Sequence, residues 1–503
     1  MVKESVYRCR LLSVAIIGAM SVFQVGCVAE SEPTEADLAL EALIVDQNLI
    51  GDPSEGRELP LIGDALPQLG MKLFYSKSLG GNFDTGCVSC HHPSLGGADG
   101  LTLPVGVDAT DPELLGLGRE NTAGVPVVPR NSPTVFNAGL WDSGMFLDSR
   151  VESLGKEPKA NGSISPIRTP DTDIGVADLD AGANLPAAQA GFPVTSTDEM
   201  KTDLFEDGST NDEIRDHLAA RIGGYGEGEG ELGTNTWLEE FQTAYVSAED
   251  AETLITFENI AHAIGEFERS MVFVDTPWHQ YVNGDRTVLT EDQKEGALLF
   301  FTPVNAGGAG CSGCHSGDLM SDERHHTIAF PQIGPGKGDG NNDDFGRERE
   351  TANPADRYRF RTASLLNIAL TGPYGHAGSY ETLEQVVRHY VNPNQAVTDF
   401  FAQGAWCQLP QYEGVTDCET LYPDAQANTQ LALQKVQQER QARMTPFISP
   451  MLNNTQIAQL VSFLEALTDE CALDRACLAD WIPEGEGPDG NQLNAVDAEG
   501  DAL

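Results

Sequence analysis

Basic residues are scarce in this 503-residue chain: 30 Lys+Arg stand against 77 Asp+Glu, a formal net charge of −47. Phosphate contacts need clustered Lys and Arg, so this deficit excludes a nucleic-acid binder. The acidity has two readings, a solvated surface and attraction of a cationic partner protein, and charge alone does not choose between them. Beyond the N-terminus no apolar run reaches the roughly 20 residues that a membrane-spanning helix needs. Strand-like alternation is sparse and no tandem short-period repeat is present. Hydrophobic residues still make up 40% of the chain, which excludes wholesale disorder. At roughly 100–200 residues per domain, the length gives two or three domains.

The N-terminus carries Lys3, Arg8 and Arg10, then an apolar run from Leu11 to Val22. A basic start followed by a short apolar stretch reads as a secretory signal peptide rather than a membrane span. Val25-Gly26-Cys27 resembles a bacterial lipobox, although Gln24 stands where a small aliphatic residue is usual. The expectation is export to the periplasm with the leader ending at residue 27; lipid anchoring at Cys27 and plain cleavage both stay open. Residues 28–56 read as an acidic tether. An exported chain is free to form disulfides.

The ten cysteines fall into groups. Cys87-Val88-Ser89-Cys90-His91 and Cys311-Ser312-Gly313-Cys314-His315 both spell CxxCH. Two thiols at this spacing can add to the two vinyl groups of one haem, and the adjacent histidine then reaches the iron. Zinc would need further ligands near each motif, and a thioredoxin-like CxxC lacks the following His. Two covalently bound haems c are therefore expected, each in its own domain. Cys407/Cys418 and Cys471/Cys477 read as two disulfides closing short loops, with pairing across the two groups left open.

Apolar residues at three-to-four spacing predict helices over Thr256–Met271, Glu291–Phe300, Thr382–Tyr390 and Thr455–Leu467, with Thr290 and Thr455 as N-caps. The 52 Gly and 28 Pro imply long loops. The expected fold is mainly α: two cytochrome c-like haem domains, 57–275 and 276–480, followed by a mobile acidic tail, 481–503. Asp339-Gly340-Asn341-Asn342-Asp343 starts like a calcium loop but places Asp344 where the turn wants glycine, so it reads as an acidic loop. Gly228–Gly233 spells GxGxxG with no preceding strand and reads as a flexible loop. His92, His325 and His326 read as surface histidines.

The segments Arg130–Asn137, Asp148-Ser149-Arg150 and Asn367–Gly378 (NIALTGPYGHAG) are similar to signature segments of the bacterial di-haem cytochrome c peroxidase/MauG family, a resemblance running from about Asp64 to Leu467. The resemblance implies that His91 is proximal ligand to a peroxide-reacting haem 1 and His315 to an electron-transferring haem 2. It implies Glu199 as the carboxylate moving the peroxide proton, with Gln189 and Pro193 in the same pocket. Many members place a second histidine on haem 1; here Val107 stands in that position, so the resemblance implies an open iron site. Fourteen residues after His376, where peroxidases carry Met and MauG-type members Tyr, stands Tyr390, with His389 adjacent and about 100° round the helix. The family's interhaem Trp is missing: Phe146-Leu147 precede Asp148, and the nearest tryptophan is Trp141. A calcium ion is implied at Asn131, Thr371 and Pro373, whose oxygen donors suit a hard cation.

The implied activity is reduction of hydrogen peroxide with electrons from a small redox protein such as cytochrome c. The alternative is a MauG-like oxidase that modifies a side chain of a partner protein through a high-valent iron state. A third reading, from a different class, is a pure di-haem electron carrier.

Overall fold

The computed structural model describes residues 32–402 and 404–503; the leader and Cys27 lie outside the described residues. Helices dominate, joined by long loops, and the β structure is minor. A three-stranded antiparallel sheet pairs Gly144–Met145 with Val151–Ser153 and that strand with Ile167–Arg168. A two-stranded sheet pairs His325 with Arg361 and His326 with Phe360.

Two helix crossings organise the molecule. In the first, Ala65–Phe74 lies across Phe257–Ser270 so closely that a Cβ on Gly70 would stand 1.9 Å from the Ala263 carbonyl oxygen. In the second, Glu291–Phe301 lies across Asn454–Glu465, and a Cβ on Gly296 would stand 2.0 Å from the Gln459 carbonyl oxygen. Only glycine permits backbones to approach this far. Around the first crossing pack Phe74, Trp237, Phe241, Ile260, Ile264 and Phe267. Around the second pack Trp278, Phe300, Phe301, Leu460 and Phe463. Each crossing pairs the helix preceding one CxxCH with a later helix, so the same device is built twice.

The helices follow their sequence signals to within a residue or two. Thr256 and Thr290 cap as side-chain acceptors, Thr290 within a capping box completed by Gln293. At the last helix the cap is Asn453, not Thr455: Asn453 and Gln456 form the capping box, and Thr455 falls inside the first turn. Both residue types can cap, and the reciprocal partner at Gln456 favours asparagine.

The chain ends depart from expectation. The stretch read as a tether contains a helix, Glu35–Asp46, that packs on the second core through Leu40. Its Asp37 accepts from Tyr281 Oη at 2.8 Å and pairs with Lys294 Nζ at 3.0 Å. The tail read as mobile crosses back to the first core instead. Leu493 is 1% exposed, its N–H donates to the Tyr75 carbonyl at 2.8 Å, and Trp237 Nε1 donates to Asp489 at 2.8 Å. Net charge had suggested solvated segments, but a few apolar anchors and specific acceptors outweigh composition.

The region 395–447 adds two small clusters, one around Phe400, Trp406, Leu409 and Tyr412 and one around Val397, Leu433, Val436 and Phe447. Disulfides join Cys407 to Cys418 and Cys471 to Cys477, within each group and not across. The acidic loop after Asp339 is structural: Tyr358 Oη donates to Asp343 at 2.7 Å, and Asp344 is buried against Arg130. The Gly228–Gly233 segment is held rather than flexible, because Glu231 pairs with both Arg221 and His217.

Candidate functional site

Both CxxCH motifs form short 3-10 turns opening onto one continuous cavity of about 980 Å³. The second turn is entered through Gly310 at φ 67°, a left-handed conformation that favours glycine. The four motif cysteines are unbridged, whereas the other four described cysteines are disulfide-bonded. Burial pushes the Cys87 and Cys311 thiols up to about 12, so these pockets suit uncharged sulfur.

Each motif histidine is oriented through one ring nitrogen. His91 Nδ1 stands 3.2 Å from both the Gly97 carbonyl and Ser132 Oγ. His315 Nδ1 stands 3.1 Å from the carbonyls of Met320 and Ala363. Tying Nδ1 to backbone acceptors leaves Nε2 for a metal. Burial lowers His91 to about 4 and His315 below the usual value, so both are neutral at pH 7, the form that ligates iron. Unbridged thiol pairs, tethered neutral imidazoles and a cavity joining them fit two covalently attached haems.

Glu199, Gln189 and Pro193 all line this cavity with His91. Glu199 lies in a π-helical turn, Thr197–Lys201, packed so closely on residue 106 that a Cβ on Gly106 would stand 2.2 Å from the Asp198 carbonyl. Val107 is buried behind that turn, its N–H directed at the Asp198 carbonyl, and is not among the residues lining the cavity. Among the described residues, the histidines on the cavity wall are His91, His315, His326 and His376.

Tyr390 and His389 are separated cleanly. Tyr390 lines the cavity, packs on Phe330 and Phe447, and its hydroxyl has no hydrogen-bond partner among the described residues. His389 is fully buried with both nitrogens engaged, by Tyr380 Oη at 2.9 Å and the Ile328 carbonyl at 3.0 Å. Asn131, Thr371 and Pro373 also reach the cavity wall. Asn131 Nδ2 donates to the Leu101 carbonyl at 2.9 Å, which turns its Oδ1 away from that bond.

Trp141 is folded back onto the cavity wall, with the Arg361 guanidinium 3.5 Å over its ring. Leu147 and Phe146 share that wall, Phe146 under Arg150 at 3.4 Å.

The sequence did not reveal two cavity-lining charges. Lys337, two residues before the loop read as acidic, is pushed down to about 8 by burial and by Arg150 and Arg130, and it feels Glu199. A lone lysine beside an acidic loop carries no signal. Glu268 is 3% exposed on the cavity wall. A signal existed there, since Glu268 continues the i, i+4 row of Ile260 and Ile264 on the buried stripe. The histidines read as surface residues are not exposed. His92 is buried and its Nδ1 caps Ser94 N, His325 meets Ser149 Oγ at 2.9 Å, and His326 pairs with Asp322 at 2.8 Å. Sheet pairing with Phe360–Arg361, about 35 residues on, holds the last two inward.

A mainly helical chain with two CxxCH turns opening onto one shared cavity is a di-haem c-type protein. The family model described as di-haem cytochrome c peroxidase matches residues 64–287. The chain is 28% identical over 323 residues to the methylamine utilization protein MauG of Methylorubrum extorquens, covering 64% of this chain and 67% of that protein. It is 28% identical over 329 residues to the cytochrome c551 peroxidase of Pseudomonas aeruginosa, covering 65% and 71%. Among solved structures, a MauG-like protein associated with microbial copper homeostasis superposes with a TM-score of 0.52 at 22% identity, covering 84% and 94%. The diheme peroxidase BthA from Burkholderia thailandensis gives 0.50 at 19% identity, covering 89% and 93%, and both show a shared fold. The chain is similar to the di-haem cytochrome c peroxidase/MauG proteins, a family that carries two c-type haems, and it is an oxidoreductase of the peroxidase type.

Proposed function

We propose that this protein reduces hydrogen peroxide to water with electrons from a small redox protein, in the periplasm. The observation that carries the reading is the grouping of Glu199, Gln189 and Pro193 on one cavity wall with His91, with Val107 withdrawn behind it. Two electrons and two protons convert one peroxide into two waters. The haem held by Cys87, Cys90 and His91 supplies the redox chemistry when bound. Glu199 accepts a proton from one peroxide oxygen and returns it to the departing one, a transfer worth about 10²–10⁴-fold in rate. Cys311, Cys314, His315 and Tyr390 are the residues that would hold the second haem, which would supply electron-transfer chemistry when bound. Two haem domains, 57–275 and 276–480, divide these roles, and Asn131, Thr371 and Pro373 hold a calcium ion.

The net charge of −47 favours a basic electron donor, with association that slows as salt rises. Export follows from the leader, and Cys27 is the site of any lipid anchor. A second reading, withdrawal of electrons from a side chain of a partner protein, is favoured by one residue: tyrosine rather than methionine at position 390. A phenolate stabilises oxidised iron where a thioether raises the potential.

Stopped-flow spectroscopy with hydrogen peroxide, with and without reduced cytochrome c, tests the proposal. Rapid turnover of the cytochrome is the expected result. A long-lived oxidised state that ignores cytochrome c supports the second reading, and no reaction with peroxide overturns both.

A further inference from the structure

Among the described residues, Glu268 is the one acidic residue lining the cavity whose carboxylate is deeply buried and without a partner. It sits on the Phe257–Ser270 helix, 3% exposed, with Oε2 sealed from solvent and unmatched by any donor. Its other oxygen has no hydrogen-bond partner among the described residues, and the side chain borders the cavity near Cys87, on whose thiol it acts electrostatically. An unmatched buried carboxylate is costly, so such a group is kept for the neutral acid or for a role that needs its charge.

Its surroundings bring no compensating charge. Lys72, on the crossing helix Ala65–Phe74, is occupied by Glu240 at 2.6 Å. The Leu185–Ala190 helix holds no charged residue. On Asn211–Gly223, Arg215 is paired with Asp171 and Arg221 with Glu231. Arg269 and Glu266, its helix neighbours, pair with each other. Burial alone pushes Glu268 up to about 8, which puts its proton in reach of neutral pH. His91 is not among the groups it acts on; burial and backbone acceptors account for that imidazole.

We propose that Glu268 is a redox-linked proton site for haem 1, binding one proton as that haem gains one electron and releasing it as the electron leaves. The balance is simple: the electron comes from the donor protein, the proton from solvent, and the only bond made or broken is the carboxyl O–H. The physical cause is charge compensation in a low-dielectric cavity, where the extra positive charge of oxidised iron favours the carboxylate and its loss favours the acid. Glu268 lies at the haem attachment side and Glu199 on the π turn, so the site supplies a second carboxylate with a different task. The inference rests on haem attachment at Cys87–His91, and it stands or falls independently of peroxide turnover.

The test is spectroelectrochemical titration of the haem-loaded protein between pH 6 and 9, in the wild type and in Glu268→Gln, following each haem by its own spectrum. The expected result is a haem 1 potential that falls with rising pH in the wild type, approaching a tenfold change in the redox equilibrium per pH unit, about 59 mV for one electron. In Glu268→Gln that dependence disappears, haem 2 is unchanged and mass spectrometry still finds both haems. Equal pH dependence in the two proteins, or none in the wild type, overturns the inference. A readout that needs no variant is the infrared difference spectrum on reduction of the wild type. A protonated-carboxyl band should grow and shift in D2O; its absence likewise overturns the inference.

Discussion

Arg130 holds Asp344 by two parallel hydrogen bonds, Nε to Oδ2 at 2.6 Å and Nη2 to Oδ1 at 2.8 Å, across 214 residues of chain. Its remaining Nη1 donates to Asp148 at 2.6 Å, so one buried guanidinium ties the RNSPT segment, the DSR segment and the acidic loop together. All three residues are buried. Burial opposes charging, but the Arg130 guanidinium wins and holds both carboxyls below the usual range.

Removing one member strands a buried charge. Asp344→Asn should destabilise the protein by about 3–5 kcal/mol, read by denaturant unfolding of the haem-loaded form. The depressed carboxyl values give this network a pH signature. Its contribution is complete above the unfolded carboxylate value, about 3.9, and is lost as pH falls through the lower folded values. The wild-type advantage over Asp344→Asn should therefore be constant from neutral pH to about 5 and shrink in acid below that.

Glu199→Gln should lower the second-order rate of the peroxide reaction by about 10²–10⁴-fold while leaving both haems attached. Single-mixing stopped flow of the reduced-donor reaction measures it. A loss of under about threefold would remove Glu199 from the proton transfer.

Tyr390→Met should raise the haem 2 potential by on the order of 0.1 V, because axial ligands span about 0.8 V in all and a thioether favours ferrous iron. Tyr390→Phe should convert haem 2 to an open or water-bound site, visible in its optical and spin-resonance spectra. His389→Gln should leave the haem 2 spectrum intact and cost stability instead, since that ring spends both nitrogens on Tyr380 and Ile328.

His217 lies between two carboxylates, Glu206 at 2.5 Å on Nδ1 and Glu231 at 2.6 Å on Nε2, and so joins the loop after Glu199 to the Gly228–Gly233 segment. Burial opposes its charging, yet the hydrogen bonds it donates to Glu231 and Glu206 raise its value above that of an ordinary histidine. A raised folded value stabilises the protein fully below the unfolded value, about 6.5, and the contribution is lost as pH rises through the folded value. His217→Gln should cost about 1 kcal/mol near pH 6 and progressively less at higher pH, with thermal melts across pH 6–9 as the measurement.

The haem attachments were legible because their chemistry is local: two cysteines and a histidine at fixed spacing, repeated once, need no tertiary context to be read. Helix periods were legible for the same reason, down to Thr290 as a cap. Asp344 was not, because its role depends on Arg130, far away in sequence, and an acidic residue in an acidic loop looks like solvated charge. The chain ends misled for a related reason. Composition averages over a segment, whereas Leu40, Asp489 and Leu493 are single anchors.

The sequence by itself determined what this protein carries: two covalent haems, helices to house them and an excess of negative charge. Only the tertiary structure decided how those parts meet. It put both attachment sites on one cavity, set Tyr390 rather than His389 on its wall, folded Trp141 back to it and brought Lys337 from the second half of the chain towards Glu199. The physical reason is that covalent attachment and helix period are short-range properties of neighbouring residues. Burial and electrostatic pairing are set by groups that the fold brings together from hundreds of residues apart.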